Sequence, residues 1–361
     1  MIRIDEIYSG VFVPAIRQLG ADRALHWFDP PGSTSFEDLC TCPAIPASTT
    51  RYIFWDQEPV STDRFDLFMH QYLEPFGRLW NPDIRVITSE YCSDTVDRLC
   101  EQWRLQSHYY WFHGWAALDW YRGYNRTGLI AEPADRHVER TFMAPNRIIG
   151  GARQHRLHLL YWIFSQGLEQ TNCVSCPSVC PAEQEPVESL IEPLTALYPT
   201  IEAVFDRVSL PLNMPGEQNH PMTSMYLDLW QPASTSLLYV VTETVADGGR
   251  QHLTEKIFKP ICLQMPFVAV ATSGALAYLR SYGFRTFDTL WDESYDAEPD
   301  MARRVAKIGA LLGDLDQLTI QQRQELYQQA RPIVEHNYRH FYSGAFEQVL
   351  WQELNTMLAE F

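Results

Sequence analysis

Short runs of β-branched and aromatic residues alternate with polar, proline-containing stretches through the first third of the chain. RALHWFD (23–29), RYIFWDQEP (51–59) and IRVITSE (84–90) each read as a strand that ends in a carboxylate-bearing turn. Between such strands DTVDRLCEQWRL (94–105) sets Val96, Leu99, Cys100 and Trp103 at helical spacing. The pattern restarts near Thr141. TFMAPN enters a loop, and a helix follows with Leu157, Leu160, Tyr161 and Phe164 on one face. TSLLYVVTET (235–244) and PFVAVA (266–271) are continuous apolar runs, the signature of strands buried on both faces. GALAYLRSYG supplies a helix closed by Gly283, and the last long segment reads as helical in two pieces broken at Pro332. Strand and helix in alternation predict an α/β fold with parallel sheets. The expected division is residues 1–140, residues 141–332, and a terminal helix over 333–361.

Composition narrows the class. The chain has 361 residues, 46% hydrophobic and 20% charged, enough to bury substantial cores. Its net charge of −17 argues against broad nucleic-acid coating. Arg3, Asp5 and Glu6 interrupt the first residues, so no signal peptide is expected there. No apolar run reaches the roughly 18–20 residues of a membrane span. The 8 cysteines then read as reduced thiols in a cytoplasmic protein that does not associate with membrane.

Ligands of open α/β sheets bind beyond the carboxyl ends of the strands. That rule directs attention to Asp56–Glu58, Asn146–Arg156, Glu243, Thr254–Lys259 and Ser273–Gly274. In HLTEKIFKP (252–260), Thr254 suits an N-cap and Glu255 a first turn. Pro260 does not suit a helix begun at Glu255, where it would cost about 3 kcal/mol. Either the helix is strained, or it starts near Pro260 with the Glu-Lys pair on an irregular lead-in. Lys256 and Lys259 then stand at a helix start, the ingredients of a phosphate site. NRIIGGARQHR (146–156) has the context of a phosphate cradle: Gly150 and Gly151 allow close backbone approach, and Arg147, Arg153 and Arg156 offer bidentate contacts. Two basic strand-to-helix loops together point to a nucleoside diphosphate.

LTEKIFKP, with the preceding YVVTET, resembles the donor-binding motif of α1,3-fucosyltransferase-like enzymes of the GT-B fold. The TEK-F-KP core is closer still to glycosyltransferase-like proteins of tailed phages. PFVAVATSGALAYLRSYGFRTFDTLWDESYD (266–296) and the NR…HR loop extend the likeness, and DQEP and HGWAALDWYR carry it in the first half. The resemblance implies two Rossmann-like domains facing across a cleft, with a C-terminal helix crossing back. It also implies a nucleotide-sugar donor, no metal and no further cofactor. Glu255 would hold the ribose hydroxyls, Lys256 would pair with the diphosphate, and Arg147 would be a second phosphate ligand.

An inverting transfer needs a base for the acceptor hydroxyl. Asp56 or Glu58 is the expected base, with His113 as second candidate. The stretch YYWFHGWAALDWYRGYNR offers Trp115, Trp120, Tyr121, Arg122 and Arg126 as an acceptor face, since aromatics stack on sugars and bases. Residues 104–158 hold 8 Arg against 4 Asp or Glu, a basic island in an acidic chain. This favours a 5-hydroxymethylated pyrimidine in phage DNA as acceptor, with a base flipped out to reach the cleft. A glycan acceptor is the alternative, as is a non-catalytic nucleotide- or glycan-binding module. CVSCPSVC (173–180) lacks a fourth metal ligand, DLD (314–316) reads as a helix-terminal turn, and WDESYD (291–296) as an acidic loop.

Overall fold

The computed structural model describes residues 24–28, 50–55, 59–60, 62–70, 85–126, 135–217 and 226–359. The chain forms two compact units. The first comprises residues 1–120, 248–252 and 345–361; the second comprises 121–247 and 253–344. This differs from the expected segments in three places. The passage into the second unit falls at Trp120/Tyr121, the segment Gly248–His252 belongs to the first unit, and only the part from Ala345 onward returns there.

In the first unit, β1 (Ala24–Phe28), β2 (Thr50–Trp55), β3 (Arg85–Thr88) and β4 (Gln106–Tyr109) form a parallel sheet in that order. The helices are α1 (Thr62–Phe68), α2 (Asp94–Trp103) and α3 (Phe112–Trp120). In α2, Ser93 is the N-cap, and the chain leaves through Arg104 in the left-handed region. Of the four residues set at helical spacing, Val96, Leu99 and Cys100 are buried and Trp103 is half-buried. The C-terminal helix Ala345–Ala359 packs on α3, with Trp111 against Phe346 and Trp115 against Trp351. Gly114 permits this approach: a Cβ there would lie 3.0 Å from Leu350 and Phe346. The segment 248–252 is fastened by a backbone pair between Tyr91 and Gln251 and by Arg250 on the buried Glu90 carboxylate, 2.8 Å away. Glu90 also accepts from the Val60 amide and the Ser93 hydroxyl.

In the second unit, β5 (Arg140–Ala144), β6 (Cys173–Val174), β7 (Ser236–Thr242) and β8 (Phe267–Val270) form a parallel sheet in the order β8-β7-β5-β6. All residues of β7 are buried, which explains its unbroken apolar run. Helices α4 (His155–Ser165), α5 (Phe258–Cys262), α6 (Ala275–Ser281), α7 (Met301–Asp316) and α8 (Ile320–Tyr342) complete the frame. At the α4–α7 crossing, a Cβ on Gly309 would meet the Trp162 Cβ at 2.6 Å. Because that neighbour sits next to its own backbone, it cannot swing away. Gly309→Ala is therefore expected to lower the melting temperature, although alanine favours an isolated helix by about 1 kcal/mol.

Pro332 does not break α8. The helix runs unbroken over 320–342, with a Thr319–Gln322 capping box and a buried face of Tyr327, Ala330, Val334, Asn337 and Phe341. Tertiary burial of that face outweighs one missing backbone hydrogen bond. Asp314–Asp316 ends α7, and Asp316 accepts from Thr141, Thr171 and Asn172 side chains. No helix among the described residues is long and apolar enough to cross a membrane.

Candidate functional site

Strands β5 and β7 are parallel neighbours, so their carboxyl ends open on one edge. Beyond β5 come Pro145, Asn146 and Arg147; beyond β7 come Glu243 and Thr244. Asn146 is buried and bridges the two ends, taking the Thr242 hydroxyl at 3.2 Å and donating to Ala144 O. At this edge lies a cavity of about 110 Å³. Four cationic side chains line it: Arg147, Arg156, Lys256 and Lys259. Two carboxylates, Glu217 and Asp228, line it as well, with Tyr239, Leu229 and Val241 among the remaining walls.

Three of the four cations, Arg156, Lys256 and Lys259, are held by contacts within the second unit. Arg156 is 5% exposed and donates to Ile148 O at 2.8 Å, Thr242 O at 2.9 Å and Glu243 O at 3.3 Å. Burial, helped by the neighbouring Arg153 charge, brings its pKa down to about 10, so the guanidinium stays charged at neutral pH. Among the described residues its Nε has no hydrogen-bond partner. Lys256 Nζ is held by Thr244 Oγ1 at 3.2 Å, Thr254 Oγ1 at 3.0 Å and Glu255 Oε1 at 3.0 Å. Lys259 is buried, which lowers its pKa, and Asp228 at 3.8 Å opposes that shift.

Glu243 organises the TEK segment from inside. Its carboxylate is fully buried and accepts from the Thr254 amide at 3.2 Å and the Thr254 hydroxyl at 2.6 Å. Burial raises its pKa, while Lys256 and the Thr254 hydrogen bonds oppose the rise. Thr254 then caps a 3-10 turn over Glu255–Ile257, and α5 begins only at Phe258. Pro260 thus lies in the first turn of a late-starting helix, where its missing N–H costs little. The irregular lead-in is what the structure adopts.

Several expected site residues take other places. Gly150 and Gly151 do not line the cavity. Their open sides are filled by the Glu183 carboxylate, which lies 2.8 Å from where either Cβ would be and accepts from the Cys180 thiol. Close backbone approach is real there, but the partner is a side chain and not a phosphate. Arg153 is half-buried and outside the cavity. Glu255 is 4% exposed and engaged with Lys256. The helix start offers few free amides, since Thr254 N–H is taken by Glu243 and Lys256 N–H by Thr254. Charge delivered by side chains replaces the expected helix terminus. The Ser273–Gly274 turn is likewise occupied, because Asp296 accepts from the Leu276 and Ala277 amides of α6.

The acceptor-side residues divide further. Trp115, Trp120 and Tyr121 are core residues, 6%, 4% and 0% exposed, so they present no stacking face. Large apolar area wins over a surface role at these positions. Tyr121 lies under the TEK turn, with its hydroxyl 3.5 Å from Glu255 O. Arg122 is exposed, and Arg126 lies in a short 3-10 turn. His113 is buried in α3 with its ring edge-on to His252 at 5.2 Å. Asp56 and Glu58 lie outside the described residues.

Solved structures similar to this chain include a trehalose-6-phosphate synthase, OtsA, at 12% identity and a TM-score of 0.37, covering 84% of this chain and 67% of that one. A UDP-forming α,α-trehalose-phosphate synthase from Burkholderia vietnamiensis matches at 14% identity and a TM-score of 0.35, covering 96% and 79%. A counterpart from Burkholderia xenovorans matches at 12% identity and a TM-score of 0.38, covering 96% and 78%. No protein-family model matches the chain, and no curated protein matches it.

Sequence reasoning missed Glu217, Asp228, Leu229 and Tyr239. Leu229 carries a φ of 61°, a left-handed backbone that leucine rarely adopts and that often marks a ligand wall. Buried histidines give the second unit an acid sensitivity. Burial holds His155, His158 and His340 below the ordinary imidazole range, and the Arg156 charge adds to this at His155. Above about pH 6.5 they are neutral folded and unfolded alike, so they cost nothing. Below it the unfolded chain takes up protons that the folded chain refuses, and stability falls. Glu243, with its raised pKa, has the opposite sign: its contribution rises as pH falls through its folded pKa. The melting temperature is expected to drop between about pH 7 and about pH 5.5, by up to about 1.4 kcal/mol per pH unit per histidine in stability. A flat profile in that window would contradict the assignment.

Proposed function

We propose that this chain is a nucleotide-sugar glycosyltransferase on a GT-B scaffold, acting on a hydroxyl acceptor. The observation that carries the reading is the cavity at the β5/β7 edge, where Arg147, Arg156, Lys256 and Lys259 converge. A nucleoside diphosphate leaving group develops negative charge as the glycosidic bond breaks, and fixed cations in a dry pocket stabilise it. The acceptor oxygen attacks the anomeric carbon, and the bonding pair of the old C–O bond passes to the β-phosphate oxygen. The acceptor proton passes to a carboxylate. Asp56 or Glu58 fills that role in this reading, and the stereochemical outcome is inversion.

The preferred acceptor is a 5-hydroxymethylated pyrimidine in DNA, on the strength of the phage-like TEK-F-KP motif and the arginines near residue 122. Burial of Trp115, Trp120 and Tyr121 removes the stacking part of that support. A glycan hydroxyl is therefore the competing acceptor.

The test is a panel of nucleotide sugars offered with hydroxymethylated DNA, unmodified DNA and glycans, with products read by mass spectrometry and anomeric configuration by NMR. Transfer to hydroxymethylated DNA alone supports the preferred acceptor, and transfer to glycans alone replaces it. Failure to bind or turn over any nucleotide sugar removes the glycosyltransferase reading. Asp56→Asn combined with Glu58→Gln is expected to reduce transfer at least a hundredfold with donor affinity unchanged, given the usual contribution of a general base of about 10²–10⁴.

A further inference from the structure

The family resemblance assigns the donor's hydroxyl groups to Glu255, but in the structure that carboxylate is engaged with a cation of the cavity wall. Glu255 is 4% exposed, does not line the cavity, and is paired with Lys256 at 3.0 Å. The carboxylates that face the cavity are Glu217 and Asp228. Asp228 is the counter-charge of the buried Lys259, at 3.8 Å. Glu217 has a different situation. Its Oε2 accepts the Met214 amide at 3.0 Å, which fixes the side chain, and its other oxygen has no hydrogen-bond partner among the described residues.

We infer that Glu217 is the specificity residue of this pocket, accepting hydrogen bonds from hydroxyl groups that flank the diphosphate of the bound donor. The inference rests on the nucleotide-sugar reading above and deepens it. The cavity carries four cations and two carboxylates. The excess matches the two charges of a diphosphate diester. A carboxylate beside a bound anion is repulsive unless the ligand brings a hydrogen-bond donor to it. Phosphate and pyrophosphate bring no alcohol hydroxyl, only the P–OH of their protonated forms. A nucleoside diphosphate sugar brings hydroxyls on both flanks of its diphosphate, from the ribose and from the transferred sugar. Leu229, held in a left-handed backbone in the same cavity wall as Asp228, gives that wall a fixed shape.

The experiment is calorimetric titration of the wild-type chain, Glu217→Gln and Glu255→Gln with pyrophosphate, with UDP, GDP and ADP, and with the glucose conjugate of each. Glutamine keeps an acceptor for the Met214 amide but turns an N–H donor toward the cavity, where a hydroxyl needs an acceptor. In Glu217→Gln the Kd of the best-bound nucleotide sugar is expected to rise about tenfold or more, the size of a lost charge-assisted hydrogen bond. The Kd of pyrophosphate is expected to stay the same or fall, because a repulsive charge is gone. Equal weakening for free nucleoside diphosphate and conjugate assigns Glu217 to the nucleoside; weakening for the conjugate alone assigns it to the sugar. Both outcomes support the inference. Equal weakening for pyrophosphate and nucleotide sugar, or no change for either, overturns it. Glu255→Gln is expected to weaken all ligands by a similar factor, through Lys256; selective loss of the nucleotide sugar there would return the role to Glu255 and overturn the inference. A wild-type chain that binds none of the nucleotides fails the glycosyltransferase reading itself, an outcome distinct from an insensitive Glu217→Gln.

Discussion

Replacing Lys256 with alanine is expected to weaken nucleoside diphosphate binding about tenfold to a hundredfold, with the fold intact. The ammonium is held by Thr244, Thr254 and Glu255 and faces the cavity it shares with Arg147 and Arg156. Its side chain is 26% exposed, so truncation leaves no sealed void. A hydrogen bond to a charged group contributes about 1.5–3 kcal/mol, which sets that range in Kd. The Glu255 carboxylate loses its ion pair with Lys256 at the same time, and its negative charge then opposes a bound anion more strongly. Titration with nucleoside diphosphates, beside a melting curve, separates the cases. An unchanged Kd would take Lys256 out of the donor site.

Arg304→Met is expected to be the most damaging change in the second unit. The guanidinium is 1% exposed and donates to Ala271 O, Ala246 O, Glu298 O and Pro299 O. Ala271 directly follows β8, and Ala246 lies four residues beyond the end of β7, so one side chain on α7 fastens the exits of both strands. Methionine fills similar volume but leaves carbonyls buried without donors, at a cost of about 3 kcal/mol or more. Arg304→Lys is expected to fall between, since one ammonium cannot reach the span of a planar fork. Denaturant midpoints measure both. A loss under about 1 kcal/mol for methionine would mean that water replaces the guanidinium.

The parts of this molecule that were legible in the sequence are those governed by neighbours in the chain. Thr254 as a cap, the α2 face of Val96, Leu99 and Cys100, and the buried run of β7 follow from local spacing. Arg147, Arg156, Lys256 and Lys259 line one cavity because a parallel sheet brings its strand exits together. Glu217, Asp228 and Tyr239 were not, because they meet the cations only through loop paths that no short pattern encodes. The glycine pair misled for a related reason. A Gly-Gly turn announces that something comes close, and whether that is a phosphate or Glu183 depends on a residue more than thirty positions away. Pro332 and the tryptophans failed alike: each has a local preference that burial overrides.

The return of residues 345–359 to the first unit bears on how this protein is made. The chain passes between the units four times, at 120/121, 247/248, 252/253 and 344/345. Phe346 and Leu350 are fully buried there, so the first unit stays open until they emerge from the ribosome. The second unit needs only residues 121–344 and can close earlier. Synthesis therefore runs from the N-terminus, while the apolar face of α3 that Phe346 and Leu350 cover is completed last. Apolar surface exposed in this way during synthesis favours aggregation. Low expression temperature and early chaperone capture are expected to improve yield.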